Sequence, residues 1–296
     1  MPRDWGQQFQ TWSQAPSQTE AEKALNAERA VRKAVEASPS LQKRSIRVFA
    51  QGSYRNRTNV RQDSDVDVCV LCSDTFHYLL PDGTSAPDFQ ITPATYQSNQ
   101  FRGDVHAALE SYFGRKAVRQ GSKAFDVHEN TYRVNADVVA CFEFRLYSTD
   151  GVHLEGTAVL PRVGRYIMNW PEQKCDNGVR KNDETSQTYK GVVRILKNLK
   201  NEMEANGVAA ARDTAPSFLL ESLAYNVPND GFLNQTYFED VRWVLAHLCN
   251  ETREVGGHPN WIEVNGIKYL FHDTQPWTPV ATNRFLNAAW RYVGYD

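Results

Sequence analysis

The sequence predicts an α+β fold in which a mixed-sheet core precedes a mainly helical lobe. Between residues 46 and 144, apolar side chains recur with the period of two that is typical of strands. After about Pro161 they recur at helical spacing. A chain of 296 residues with 41% hydrophobic content can bury two modest cores. We therefore predict two closely packed lobes, residues 1–165 with an N-terminal helix and the sheet, and residues 166–296.

The first predicted element is a long amphipathic helix. The segment Thr19-Glu20-Ala21-Glu22 has the spacing of a capping box, which predicts a helix start. Apolar residues then recur at helical spacing as far as Val35, and Ser38-Pro39 ends the run.

The core follows with a change of period. Residues 46–51, 65–72 and 132–144 have strand-like patterns, and the first two are separated by a polar stretch. Residues 104–115 are expected to be helical.

The second lobe shows helical patterns at 189–206, 216–226, 236–250 and 278–292. Thr236 to Glu239 repeats the capping-box spacing, and Pro279 occupies a favoured first-turn position. One exception is Asn265-Gly266, which lies between two apolar-rich runs and predicts a hairpin.

Charge and cysteine content limit the function classes. The chain has 33 basic and 35 acidic residues and a net charge of -2, so it has no global positive excess for binding long nucleic acids. Its five cysteines are an odd number, which favours free thiols in a reducing compartment. No signal-peptide pattern or membrane-length apolar run is evident. We expect a cytoplasmic monomer without a membrane or a stable nucleic-acid partner.

Three aspartates occupy positions where core residues would be expected. Asp65 and Asp67 share one face of a predicted strand, and Asp137 lies in the middle of another between apolar neighbours. Neighbouring carboxylates in an apolar strand repel each other unless a cation lies between them, and Mg²⁺ accepts such oxygen ligands. The alternative is an exposed strand end, with Asp137 paired to an arginine such as Arg133.

Three carboxylates on neighbouring strands could hold two metal ions, Mg²⁺ or in its place Mn²⁺. One ion would activate an attacking hydroxyl and the other would stabilise a pyrophosphate leaving group. Asp65, Asp67 and Asp137 are therefore the predicted catalytic and metal-binding residues of a nucleotidyl transfer reaction.

The segment before these aspartates has the composition of a phosphate-binding turn. Gln51 ends a predicted strand and Gly52 and Ser53 follow it directly, and a Gly-Ser turn lets backbone amides and a hydroxyl approach a phosphate. Gln51, Gly52 and Ser53 are therefore predicted nucleotide-binding residues. Three arginines add local positive charge. They are Arg55, Arg57 and Arg61.

These residues resemble the signature of the nucleotidyltransferase superfamily, and more narrowly the bacterial cGAS/DncV-like nucleotidyltransferases of the E clade. Later motifs extend the resemblance over most of the chain. They are Trp170-Pro171-Glu172-Gln173, Asn177-Gly178, Lys181-Asn182, Arg194-Ile195-Leu196-Lys197 and Pro216-Ser217-Phe218-Leu219-Leu220-Glu221.

The resemblance implies a polymerase-β-like core, with nucleotides bound in a cleft between the core and a helical lobe. It also implies that one active site first makes a linear dinucleotide and then closes it into a cyclic signal. That signal would activate a separate effector during phage infection. Cyclisation and defence rest on the resemblance alone.

Several nucleotide-binding residues are inferred in the second lobe. Lys190, Arg194 and Lys197 form one basic face, although a solvated helix face would look the same. The resemblance makes Lys197 the contact for the donor triphosphate, with Ser217 as its partner. Phe218 could stack on a base or be buried in the core.

Base choice is assigned to one asparagine by the resemblance. Asn169 would favour uracil, which implies ATP, UTP or another pyrimidine triphosphate as substrates. Asn177 is a competing choice.

Two alternative functions remain open. The three aspartates would also suit transfer of nucleotides to RNA, a small molecule or a protein, and a nucleotide-sensing pseudoenzyme is a further possibility.

A zinc site is not expected. Cys69 and Cys72 match Cys-x-x-Cys, but their side chains would point to opposite faces of a strand, and the histidines show no metal-ligand spacing.

Overall fold

The structure, a computed structural model, describes residues 3–60, 65–212, 215–253 and 260–295. Its contacts divide the chain into two compact units. The sheet unit comprises Ser17–Arg55 and Arg61–Pro171, and the helical unit comprises Met1–Pro16, Asn56–Val60 and Glu172–Asp296. The helical unit therefore includes two N-terminal segments that the sequence analysis placed in the first lobe.

The sheet unit is built on a mixed seven-stranded sheet with the order β1-β2-β5-β4-β3, to which β6 and β7 are added beside β5. Among the strands that the structure describes, β2 and β5 pair in parallel and the other neighbours are antiparallel. The strands are β1 (Ile46–Ala50), β2 (Val66–Leu79), β3 (Val118–Gln120), β4 (Phe125–Val127), β5 (Ala136–Tyr147), β6 (His153–Val159) and β7 (Ile167–Asn169).

Successive side chains of β2 point to opposite faces of the sheet, so they belong to two different apolar clusters. Val66, Val68 and Val70 belong to a large cluster that also contains buried residues of two helices, so these helices cover that face. Cys69 and Leu71 belong to a smaller cluster on the other face. The prediction that Cys69 and Cys72 point to opposite faces is confirmed, because Cys72 lies in the large cluster and Cys69 in the smaller one.

One of these two helices, Gln18–Glu36, begins earlier than predicted. Ser17 is its N-cap and forms a capping box with Glu20, whereas the sequence analysis placed the box at Thr19. The Ser17 hydroxyl accepts from the Glu20 amide at 3.3 Å, and the Glu20 carboxylate accepts from the Ser17 amide at 2.9 Å. These bonds satisfy backbone groups that a helix start leaves unpaired.

The helical unit packs around one core in which Phe9, Tyr189, Phe232 and Phe285 are almost fully buried. Its capping box at Thr236 and Glu239 is confirmed.

The α-helices of both units, among the described residues, are α1 (Trp5–Trp12), α2 (Gln18–Glu36), α3 (Gly52–Asn56), α4 (Ser98–Phe113), α5 (Pro171–Glu184), α6 (Tyr189–Ala205), α7 (Ser217–Asn226), α8 (Tyr237–Glu251) and α9 (Pro279–Val293).

The hairpin predicted at Asn265-Gly266 is a tight turn with one antiparallel bridge, between Ile262 and Tyr269, and the structure assigns no strands there. The Asn265 side chain accepts from the amides of Ile267 and Lys268, which supports the turn.

Among the described helices, none combines the length and the apolar content needed to cross a membrane.

Candidate active site

The three predicted aspartates lie at the start of the two central strands. Asp67 of β2 and Asp137 of β5 are directly paired in the parallel ladder, so their side chains share one face of the sheet. Neighbouring strands lie about 4.8 Å apart, which keeps the two carboxylates close. Asp65 immediately precedes β2 and is exposed, whereas Asp67 and Asp137 are half-buried.

A fourth carboxylate, which the sequence analysis missed, completes the row. Asp126 of β4 is the direct partner of Asp137 on the other side of β5. The Arg119 guanidinium holds Asp126 through nitrogen–oxygen contacts of 2.6 and 2.7 Å. The available signal was an aspartate between the apolar residues Phe125 and Val127, but a three-residue strand is too short to show a period.

Crowding of these carboxylates perturbs Asp137. Burial and the negative charges of Asp65, Asp126 and Asp67 raise the pKa of Asp137 to about 6. The alternative pairing of Asp137 with Arg133 is not observed among the described residues. Arg133 is buried against the Phe113 ring, 4.8 Å from its centroid.

The Gly-Ser turn lies directly against Asp67. Gly52 has a φ of +69°, and a Cβ built on it would collide with the Asp67 carboxylate, 2.9 Å from Cγ. The amide of Gln51 donates to the Asp67 carbonyl at 2.8 Å, and Ser53 follows in the first turn of α3. The predicted phosphate-binding turn and metal-binding strand are thus neighbours. Arg61 lies outside the described residues.

The carboxylate row fits a hard divalent cation, because it offers oxygen ligands and its members repel one another without positive charge. Within the described ranges, the three-residue group whose ligand atoms all lie within 4.8 Å of one another is a different one: Glu143, His153 and Glu155. The neighbouring Arg145 already donates to Glu143 at 2.6 Å, so one carboxylate of this second group is paired with a positive charge. We therefore favour the aspartates as the metal-binding residues.

The basic face predicted on α6 is not a solvated face. Arg194 and Lys197 are only 7% and 3% exposed. The Arg194 guanidinium donates to the backbone carbonyls of Ser13 and Arg57. The Lys197 ammonium donates to the Thr58 carbonyl at 3.0 Å. Lys190 is half-buried.

The remaining predicted nucleotide contacts fall in different environments. Ser217 is exposed at the start of α7, and Phe218 packs on the helical core with its ring centroid 6.0 Å from that of Trp277.

The two asparagines considered for base choice also differ. Asn169 ends β7 with an exposed side chain. Both ends of the Asn177 amide are occupied, by the Val264 carbonyl at 2.8 Å and Arg180 at 2.7 Å, so Asn177 is the weaker candidate for contacting a base. The roles of these residues stay predictions.

The mixed sheet, its row of aspartates and the attached helical unit define a nucleotidyltransferase of the polymerase-β-like type. A solved structure shares this fold: the Rhodothermus marinus CdnE c-UMP-AMP synthase with Apcpp and Upnpp has a TM-score of 0.86 at 31% sequence identity. The match covers 99% of this chain and 98% of that one.

The chain belongs to the cGAS/DncV-like nucleotidyltransferase family. The family model of the C-terminal helical domain matches residues 176–294. A cyclic dipyrimidine nucleotide synthase CdnE of Legionella pneumophila is 42% identical over 99% of both chains. Another, of Cecembia lonarensis, is 37% identical over 97% of this chain and 98% of its own. The chain is therefore an enzyme of the nucleotidyltransferase class.

Proposed function

We propose that this enzyme joins two nucleoside triphosphates into a cyclic dinucleotide with at least one pyrimidine, and releases pyrophosphate. The observation that carries the proposal is the direct pairing of Asp67 with Asp137, with the Gly52 turn packed against Asp67. Similarity to dipyrimidine synthases over the full length supports the cyclic product.

Asp65, Asp67 and Asp137 would hold two Mg²⁺ ions, or Mn²⁺ in their place. Such ions activate the attacking hydroxyl and neutralise charge on the reacting phosphates. The chain supplies the rest: Gly52 leaves room beside Asp67, and Ser53 offers a hydroxyl to the phosphates. Asp126, which Arg119 holds, lies opposite Asp137 and adds negative charge beside it.

Base choice is assigned to Asn169, whose amide can donate to and accept from the edge of a base. The relatives include synthases of dipyrimidine and of mixed UMP-AMP products, so UTP with ATP or a second pyrimidine triphosphate are the proposed substrates. Changing Asn169→Ser should alter the bases in the product more than the rate. An unchanged product spectrum would exclude Asn169 from the base pocket.

The proposed product is a second messenger in anti-phage defence of the CBASS type, where it would activate a separate effector. This part rests on the family resemblance. The proposal of a cytoplasmic monomer without a stable nucleic-acid partner rests on the charge balance and the cysteine content instead.

The test is incubation of the purified protein with all four ribonucleoside triphosphates and Mg²⁺ or Mn²⁺. Products that survive phosphatase are identified by mass spectrometry. We expect a phosphatase-resistant cyclic dinucleotide that is absent with the folded Asp65→Asn/Asp67→Asn variant. Retained turnover in that variant would contradict the metal-site assignment. A product that forms only with an added RNA, protein or small-molecule acceptor would replace the cyclisation proposal.

A further inference from the structure

One glutamate interrupts the apolar face of α2, which packs against the sheet. Glu28 lies among buried residues of the large cluster of the sheet unit, which are Ala24, Ala27 and Val31. Its side chain is 19% exposed. A carboxylate in such surroundings is costly unless hydrogen bonds and positive charge compensate it. The contacts of Glu28 therefore indicate its role.

Both carboxylate oxygens of Glu28 are engaged. Oε2 accepts from the backbone amide of Ala50 at 3.2 Å, and Oε1 lies 2.6 Å from the Arg32 guanidinium. The same guanidinium donates to the Val48 carbonyl at 2.6 Å. The helix α2 therefore holds β1 through two backbone groups.

These two backbone groups lie on the outer edge of the sheet. Among the described strands, β1 stands at the end of the sheet order and pairs with β2. In an antiparallel pair, every second residue turns its N–H and C=O away from the partner strand, and Val48 and Ala50 are two residues apart. The next residue, Gln51, faces β2, because its amide donates to the Asp67 carbonyl at 2.8 Å. The end of β1 is thus held from both sides, by Glu28 outside and by the Asp67 backbone inside.

The strand end that is held in this way leads directly into the proposed site. Gly52 follows Gln51 with a φ of +69°, and a Cβ built on it would lie 2.9 Å from the Asp67 Cγ. Asp67 in turn is paired with Asp137 in the parallel ladder. Because the Gly52 backbone already approaches the Asp67 carboxylate closely, a small shift of the strand end would change the spacing between the turn and the aspartates.

We propose that Glu28 is a positioning residue for nucleotidyl transfer: by binding the Ala50 amide, it fixes the Gly52 turn against Asp67. Glu28 acts through the backbone of residues 50–52 and not by contact with the substrate. The inference rests on the proposed function, because it takes this turn and the aspartates as the site of the reaction.

The opposite end of β1 offers a matched control. There the Asp74 carboxylate accepts from the Ser45 amide at 3.0 Å and lies 3.6 Å from the Arg44 guanidinium. The Asp74 side chain is 24% exposed, close to the value for Glu28. Ser45 and Ala50 are five residues apart, which is about 17 Å along a strand. Both carboxylates hold one amide at an end of β1, but the amide that Glu28 holds adjoins the turn.

The test compares Glu28→Leu, Glu28→Gln and Asp74→Leu by kcat for product formation, thermal unfolding and amide hydrogen exchange. Leu continues the apolar face of α2 but cannot accept from the Ala50 amide, whereas Gln keeps an accepting oxygen. We expect Glu28→Leu to lower kcat about tenfold, since a displacement of about 1 Å at reacting groups can cost about 100-fold. Glu28→Gln should keep most of the rate.

Hydrogen exchange reports on the strand end directly. In Glu28→Leu the Gln51 amide should exchange about tenfold faster, the effect of losing one hydrogen bond from the local structure. Asp74→Leu should unfold at a temperature no higher than Glu28→Leu, yet keep both its kcat and the protection of the Gln51 amide.

Three results would overturn the proposal: an unchanged kcat in Glu28→Leu, a kcat that falls equally in Asp74→Leu, or a Glu28→Gln variant as slow as Glu28→Leu. If Glu28→Leu does not fold, Glu28→Ala takes its place, because it removes the same bond without adding a larger apolar side chain.

Failure of the inference can be distinguished from failure of the proposed function. A wild-type protein that makes a cyclic dinucleotide at the same rate as Glu28→Leu contradicts only the role of Glu28. A wild-type protein that makes no cyclic product, while Glu28→Leu loses protection at Gln51 and Asp74→Leu does not, contradicts cyclisation and supports the positioning of the turn by Glu28.

Discussion

At the scale of single residues, the raised pKa of Asp137 predicts a pH-dependent affinity for metal. Because its folded-state pKa is about 6 rather than 3.8, Asp137 keeps a proton up to about pH 6, and a cation must displace this proton. The metal-free fold binds more protons than the unfolded chain between these values, so the contribution of Asp137 to stability falls as pH rises through them.

Titration of Mn²⁺ without nucleotide checks this expectation. Affinity should fall up to about tenfold per pH unit below about pH 6 and level off above it. Asp126→Asn removes a neighbouring negative charge and should move the onset to lower pH. A flat profile across this range would contradict the assignment of Asp137 as a ligand.

The local sequence identifies the aspartates but not the residues around them. A charge inside an apolar strand pattern marks Asp67 and Asp137, and the structure pairs them directly. The sequence analysis missed Asp126 because pairing between β4 and β5 is a long-range property that a local pattern does not contain. It missed the burial of Lys197 for the same reason, since the partner Thr58 is 139 positions away in the chain.

Gly52→Ala should abolish product formation. The substitution places a side chain at a φ of +69° and against the Asp67 carboxylate. A displacement of about 1 Å at reacting groups can cost about 100-fold in rate. Gly83→Ala is the control, because it has a φ of +79° with no atom within 4 Å of the added Cβ. It should show a similar backbone cost in thermal unfolding and unchanged activity; equal activity in both variants would exclude Gly52 from the site.

At the scale of elements, long periodic segments were predicted well and short ones were not. The segments that became α6, α8 and α9 are each at least 15 residues long and carry their apolar stripe or cap signals in the sequence. The strands β3, β4 and β7 have three residues each, and their pairing is determined by neighbours in the sheet. The helix α5 was not predicted from the sequence, because its buried residues include the polar Lys181 and Asn182 and therefore form no apolar stripe.

The pairing of β6 with β7 depends on the absence of a side chain at Gly156. A Cβ there would lie 2.7 Å from the Asn169 carbonyl and 2.9 Å from the Trp170 indole nitrogen. Gly156→Ala should therefore destabilise the fold by about 1–3 kcal/mol, the usual cost of overpacking, and change the bases in the product by moving Asn169. Gly103→Ala in α4 meets no atom within 4 Å and should stabilise by up to about 1 kcal/mol. Urea unfolding and product analysis measure both; a neutral Gly156→Ala would argue against a tight β6–β7 contact.

At the scale of the whole molecule, each of the two units has an apolar core of its own among the described residues. The aspartates of the carboxylate row are exposed or half-buried and lie outside these cores. The metal ions are therefore expected to serve chemistry rather than folding.

Chelation should separate these two roles. Addition of EDTA is expected to abolish product formation while the circular dichroism spectrum stays unchanged. The melting temperature should fall by only a few degrees, by loss of ligand stabilisation of about 3 kcal/mol at most for an ion present at 100 times its Kd. Readdition of Mg²⁺ should restore activity. Unfolding on chelation would show that the ions are structural.

The interleaved helical unit restricts how the gene can be divided. A cut between codons 165 and 166 would leave the C-terminal fragment without Phe9, which is fully buried in its core, and without Asn56 and Thr58, which bind Glu221 and Lys197. Exchange of lobes between relatives therefore cannot use a single crossover. A chimaera with matched specificity has to transfer all three segments of the unit together.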